Sequence, residues 1–313
     1  MRHSSAIIMA MLPPILWGST YLVTTELLPP DKPITAAVLR VLPVGLLILL
    51  MTRFRPTADQ FKKLVVISLL VISLFHWPLF VAAYRLPGGL AAMLISSQPL
   101  IVALLGFAFF GIRVQRNVTA GIALGLSGVV MVLIVPSKLA WDTVGVIAAF
   151  SAALSMSLGT LLTKRWALDM PVLAFTGWQL LLGGLFLLPL ALLFELPMQS
   201  LEVRHISGYL YLAFVGTLLP YFLWMSAIRH LEPVIISTLI LLSPVSAMAL
   251  GYVVLNQALT PWQLLGAGTV LIGILITSVP PSKYIFWRSG INEGGGPTTA
   301  AAIKQTNERG SKL

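Results

Sequence analysis

The 313-residue chain contains no cysteine. Disulfides, thiolate metal sites, iron–sulfur clusters and cysteine nucleophiles are therefore excluded. Charge is scarce: Asp, Glu, Lys and Arg make up 10% of the residues, where a soluble domain carries about 25%. Acid is the scarcest, with ten carboxylates: Glu26, Asp31, Asp59, Asp142, Asp169, Glu195, Glu202, Glu232, Glu293 and Glu308. None falls in the middle of an apolar stretch, so the chain lacks the buried acid relay common in ion-coupled pumps. It also has no phosphate-binding loop, which excludes ATP hydrolysis. Against these absences, 58% of the residues are apolar and mean hydropathy is +0.94. Such a chain cannot coat a water-soluble enzyme with polar side chains, and it is too apolar to be disordered. An all-α polytopic membrane protein remains.

A crossing helix needs about 20 mostly apolar residues. Ten stretches qualify: Ala6–Leu28, Ile34–Thr52, Leu64–Tyr84, Gly89–Gly111, Val118–Val135, Val144–Thr163, Val172–Phe194, Ile206–Ile228, Val234–Leu255 and Trp262–Val279. Turn and charge signals separate them, among them Pro29-Pro30-Asp31-Lys32-Pro33, Pro87-Gly88-Gly89 and Lys164-Arg165. The first stretch is too long for a leader and holds Pro13, Pro14 and Trp17, so it is expected to stay as a helix. Residues 283–313 form a polar, glycine-rich tail, expected to be disordered.

The net charge of +10 follows the loops. With the N-terminus inside, 15 Lys and Arg fall on the inner side: Arg2, Arg53, Arg55, Lys62, Lys63, Arg113, Arg116, Lys164, Arg165, Arg229, Lys283, Arg288, Lys304, Arg309 and Lys312. Four fall outside, namely Lys32, Arg85, Lys138 and Arg204. This bias places both termini in the cytoplasm. The basic residues set topology and imply no nucleic-acid partner. Expected partners are a small-molecule substrate and the lipid bilayer, with a monomeric or weakly dimeric state.

The second half echoes the first. A shift of 145 residues lays Pro99 on Pro244, Gly121 on Gly266, Gly128 on Gly273 and Leu86 on Leu231. Five helices per unit is an odd number, so the second unit, 139–282, enters the membrane opposite to the first, 1–138. Inverted repeats of this kind build carriers whose substrate site lies near the midplane.

Trp17-Gly18-Ser19-Thr20, Leu39-Arg40 and Gly266-Ala267-Gly268, on this ten-helix plan, resemble the drug/metabolite transporter superfamily and its EamA-type families. Leu16 to Pro33 resembles the PecM-like branch. The resemblance covers roughly residues 5–280. It implies two inverted five-helix repeats around a central cavity, and export of amino acids or other small metabolites. One departure stands out. The family's Gly-Glu after the fourth and ninth helices is replaced by Gly111-Ile112-Arg113 and Asn256-Gln257-Ala258, which puts the loop packing there in question.

Polar and ionisable groups inside spans are costly and mark a cavity. Arg40, about 9 Å into its helix, suits a substrate carboxylate. The bland reading is a snorkelling or structurally paired arginine, with Glu26 or Asp31 within reach. His76 and Trp77 precede Pro78; the histidine suits titration or a substrate hydrogen bond, or simple packing between helices. Trp17, Ser19 and Tyr21 offer rings and a hydroxyl, or helix packing. Ser96, Ser97, Gln98 and Ser243 stand beside Pro99 and Pro244, as cavity lining with hinges or as hinges alone. Trp178 and Gln179, with Tyr221 and Trp224 after Pro220, are the counterparts of the Arg40 and His76 regions. No catalytic residue, metal site or cofactor is expected.

The leading function is an inner-membrane small-metabolite exporter in a prokaryote, working by alternating access. A lipid or lipid-linked sugar flippase of the same superfamily is the alternative, with Arg40 as headgroup site. An intramembrane hydrolase is disfavoured, because no Gly-x-Ser-x-Gly elbow is present. The four histidines (His3, His76, His205 and His230) sit in separate segments.

Overall fold

The computed structural model describes residues 3–110, 116–134, 142–196, 201–227, 239, 242–257 and 260–278. The tail, the Gly111-Ile112-Arg113 site and Ala258 lie outside them. The described residues form helices and no strand: α1 (His3–Leu27), α2 (Pro33–Thr52), α3 (Ala58–Arg85), α4 (Gly88–Ile95), α5 (Gln98–Phe110), α6 (Arg116–Ile134), α7 (Thr143–Trp166), α8 (Val172–Phe194), α9 (203–227), α10 (Leu242–Leu255) and α11 (Pro261–Ser278). Seven helical stretches are long and apolar enough to cross a membrane, from Ala6–Leu27 through Val203–Trp224. Thr119–Met131, Leu242–Leu255 and Pro261–Ile276 are shorter apolar helices.

Local chemistry sets the helix ends. Pro33 opens α2 where its missing N–H costs nothing. Thr57 and Gln60 form a reciprocal cap on α3. Two ends are capped from distant helices. Glu195, after α8, accepts the N–H of Ile34 at 2.8 Å and of Thr35 at 2.7 Å. Gln257, after α10, accepts the N–H of Gly88 at 3.3 Å. The amide thus reaches the start of α4 from one of the two places where the family's glutamate is missing.

Two features sharpen the sequence reading. The fourth stretch is broken rather than kinked: α4 ends before Ser96, and Pro99 stands in the first turn of α5. Pro244 likewise stands in the first turn of α10. Pro78 and Pro220, by contrast, lie inside α3 and α9, each just beyond a π-helical segment, Leu69–Ser73 and Tyr211–Leu218.

The helices pack in tight pairs. α2 lies along α8 and α6 along α11. α1 packs on α9 and α10, while α7 packs on α3, α4 and α5. Glycines allow the closest approaches. A Cβ on Gly128 would stand 2.7 Å from Gly266 O, and one on Gly273 2.6 Å from Gly125 N. Outward faces are apolar; Leu193 and Phe194 are each 74% exposed.

Candidate functional site

Eight helices enclose a cavity of about 210 Å³. α1 contributes Trp17, Thr20 and Tyr21; α2 Arg40; α3 Phe75, His76 and Leu79. Ala92, Ile95 and Ser96 close the α4 side, Gln98 and Pro99 come from α5, and Met156, Tyr221 and Ser243 from α7, α9 and α10. Among the described residues the lining holds no carboxylate.

Arg40 is 5% exposed. Its Nε donates to Thr217 Oγ1 at 3.0 Å, Nη1 to Thr20 Oγ1 at 3.2 Å and Nη2 to the Gly216 carbonyl at 3.0 Å. Its Cζ stands 5.8 Å from the centroid of the Phe80 ring. No described carboxylate lies within ion-pair distance. Glu26 and Asp31, the expected neighbours, are both exposed at the bundle surface. A guanidinium has five N–H donors, so among the described residues one on each terminal nitrogen is left without an acceptor. Guanidinium donors of this kind pair strongly with a carboxylate.

His76 Nδ1 donates to the Ile72 carbonyl at 3.0 Å, and Phe75 stands edge-on to its ring at 5.0 Å. A carbonyl can only accept, so this bond fixes the ring and leaves Nε2 unused. Ile72 belongs to the π-helical segment of α3, as Gly216 belongs to that of α9. One segment thus supplies a carbonyl to His76 and the other to Arg40.

An aromatic wall completes the site. Trp17 packs edge-on to Tyr221, with centroids 6.1 Å apart, and against Trp224 at 5.6 Å. Trp224 supports Trp17 from behind and is not in the lining. Ser19 also lies behind the wall: its Oγ donates to Leu16 O and accepts from the Tyr211 hydroxyl at 2.8 Å.

Of the residues singled out in the sequence, Trp17, Tyr21, Arg40, His76, Ser96, Gln98, Tyr221 and Ser243 meet at the cavity, with Pro99. Others do not reach it. Trp77 is half-buried against the surrounding core. Ser97 Oγ donates to Leu94 O at 2.6 Å and stabilises the break between α4 and α5. Trp178 donates through Nε1 to the Phe54 carbonyl at 3.1 Å and packs edge-on to Phe61, at the α2–α3 junction. Gln179 is buried on α8 and absent from the lining. Sequence reasoning missed Thr20, Phe75, Leu79, Met156 and the Arg40 ligand Thr217. Thr217 did have a signal: Pro220 just beyond it marks a helix with an unpaired carbonyl. Among the described residues, no cluster of His, Asp or Glu could hold a metal ion.

The chain is similar to known transporters along most of its length. The model of the EamA-like transporter family matches twice, at residues 4–134 and 143–279. Protein PecM of Dickeya dadantii (strain 3937) is 42% identical over 270 residues, covering 85% of this chain and 90% of that protein. A Salmonella typhimurium protein named probable amino-acid metabolite efflux pump is 31% identical over 210 residues, 62% of this chain and 68% of its own. A crystal structure aligns with a TM-score of 0.59 at 19% identity, covering 87% of this chain and 96% of the other, a likeness of fold. A twofold family match across nearly all of the apolar helices places the chain in the EamA-like transporter family.

Proposed function

We propose that this transporter exports a small metabolite, an amino acid or a related amphipathic compound, by alternating access. The observation that carries the reading is Arg40. It is a buried cation with two donors unused among the described residues, no described carboxylate within ion-pair distance, and an aromatic wall of Trp17 and Tyr221 in the same cavity. A ligand carboxylate supplies the missing counter-charge, while its apolar part lies on the rings. The efflux role in the name of the Salmonella relative agrees with this substrate class.

The architecture in this reading is ten crossings, built as inverted five-helix repeats at 1–138 and 139–282 with a cytoplasmic tail at 283–313. Its support is an exchange relation in the packing. The partners of α1, namely α9 and α10, correspond to the partners of α7, namely α3 and the α4–α5 pair. The π-helical segments of α3 and α9 correspond as well. The loop charge bias supports cytoplasmic termini in a prokaryotic inner membrane. Since the chain has no cysteine, one cysteine introduced at either end reports its side of the membrane without background.

The function is tested by counterflow in proteoliposomes loaded with a panel of radiolabelled L-amino acids and matching carboxamides. Exchange of at least one carboxylate ligand, and not of its carboxamide, is expected. Failure of every carboxylate to exchange overturns the substrate class.

A further inference from the structure

We infer that Thr217 and Pro220 are positioning residues that hold Arg40 in its ligand-binding pose; the inference rests on the reading of Arg40 as the anion-binding group. The two residues act by different means. Thr217 Oγ1 donates to Leu212 O at 2.9 Å, which fixes its hydroxyl, and it accepts the Arg40 Nε–H at 3.0 Å. Pro220 acts through what it lacks. Gly216 lies near the end of the π-helical segment, and the helix returns to α register at Leu219; in that register the Gly216 carbonyl would be closed by the N–H four residues on. That residue is Pro220, which has none. The carbonyl instead accepts Arg40 Nη2 at 3.0 Å.

Both acceptors stand on adjacent residues of one helix and grip the Nε–Nη2 edge of the guanidinium. Thr20, from α1, holds Nη1. A side chain with several rotatable bonds is thereby confined to one pose, and the remaining two N–H groups keep one direction. Binding then loses less conformational entropy, which raises affinity without any new contact. The side chain at 216 is not the cause, because a Cβ there would stand 4.0 Å from Nη2, an ordinary contact. What counts is the Gly216 carbonyl, which accepts Arg40 and has no α-register donor at Pro220.

Two readouts test this on the full-length protein. The first is counterflow of L-leucine and L-phenylalanine in proteoliposomes, for the unaltered protein and for Thr217→Val, Thr217→Ser and Pro220→Ala. The second is the nitrogen-15 spectrum of protein labelled at arginine Nε, in detergent. The slowly exchanging Nε–H signal of Arg40 is assigned by its loss in Arg40→Lys. Thr217→Val keeps the shape and removes the acceptor. It is expected to raise the half-saturating concentration about tenfold, the equivalent of one charge-assisted hydrogen bond, to leave the maximal rate within about twofold, and to abolish the slow Nε–H signal. Thr217→Ser restores both. Pro220→Ala gives Gly216 O a competing donor and raises half-saturation severalfold. If that variant fails to fold, the Thr217 pair carries the test alone.

The positioning role is overturned if Thr217→Val changes neither half-saturation nor the signal, if serine fails to rescue, or if the unaltered protein shows no slow Nε–H signal. If the unaltered protein exchanges no carboxylate while the signal follows the stated pattern, the substrate reading falls and the positioning stands.

Discussion

Arg85 Nη1 lies 2.7 Å from Asp142 Oδ2, tying the end of α3 to the start of α7. The other oxygen, Oδ1, accepts the Gly145 N–H at 2.9 Å and caps α7. That backbone bond first, and Arg85 second, hold the Asp142 carboxyl below the usual carboxylate range. A depressed folded-state value means that the stabilisation is full above the unfolded value of about 3.9. It is lost as pH falls through the folded value. Thermal melts of detergent-solubilised protein should show the gap between the unaltered chain and Asp142→Asn closing on acidification. A gap that stays constant across the acidic range refutes the assignment.

Arg40→Lys is not a conservative change here. An ammonium is a compact point charge and cannot reproduce the planar contacts with Thr217, Thr20 and Gly216. Both Arg40→Lys and Arg40→Ala should reduce carboxylate counterflow at least tenfold. The alanine variant should also melt at lower temperature, because Thr20, Thr217 and Gly216 lose a buried donor. Counterflow unchanged by the lysine variant would refute the fork geometry.

Glu195 closes the first turn of α2 from the far side of a helix pair. Its two oxygens take the N–H groups of Ile34 and Thr35, and Lys32 Nζ donates to its backbone carbonyl at 2.5 Å. Glu195→Ala leaves two buried donors without partners and should cost about 1–3 kcal/mol. Glu195→Gln keeps one acceptor and should cost less. Denaturant or thermal unfolding in detergent ranks the three proteins, and equal stability of all three refutes the clamp.

Two glycines make opposite predictions. A Cβ on Gly45 would enter the backbone of Leu180 and Leu181 on α8. Gly45→Ala should therefore cost about 1–3 kcal/mol through forced separation of α2 and α8. A Cβ on Gly268 meets nothing within 4 Å. Gly268→Ala should be neutral or stabilising by about 0.4–1 kcal/mol, through the unfolded chain. Melting temperatures of the two variants should fall on opposite sides of the unaltered protein, or at least be separated widely.

Some of this was legible in the sequence for definite physical reasons. Arg40 is conspicuous as a cation inside an apolar stretch, and its burial could be expected from that alone. The break at Ser96-Ser97 follows from serines and a proline together. Facing was harder to read. α8 is apolar all round, so nothing in its pattern told Trp178 and Gln179 apart from cavity residues; only the packing of α2 along α8 settles it. Thr20 and Thr217 were missed because helix threonines commonly bond their own backbone, and their role depends on an arginine brought from another helix. Glu195 stands one residue past an apolar stretch, and a cap that reaches across 161 positions leaves no local trace.

The glycine seam between α6 and α11 has a mechanical corollary. Neither helix contributes a described residue to the cavity lining, and at Gly128 and Gly273 an added Cβ would meet main-chain atoms of the partner helix. Such a joint is expected to act as a stiff keel, because close-packed backbones leave little slack for sliding. Any widening or narrowing of the chamber therefore falls to the helices that wall it, and the keel is where a rigid label or an engineered cross-link should leave turnover least disturbed.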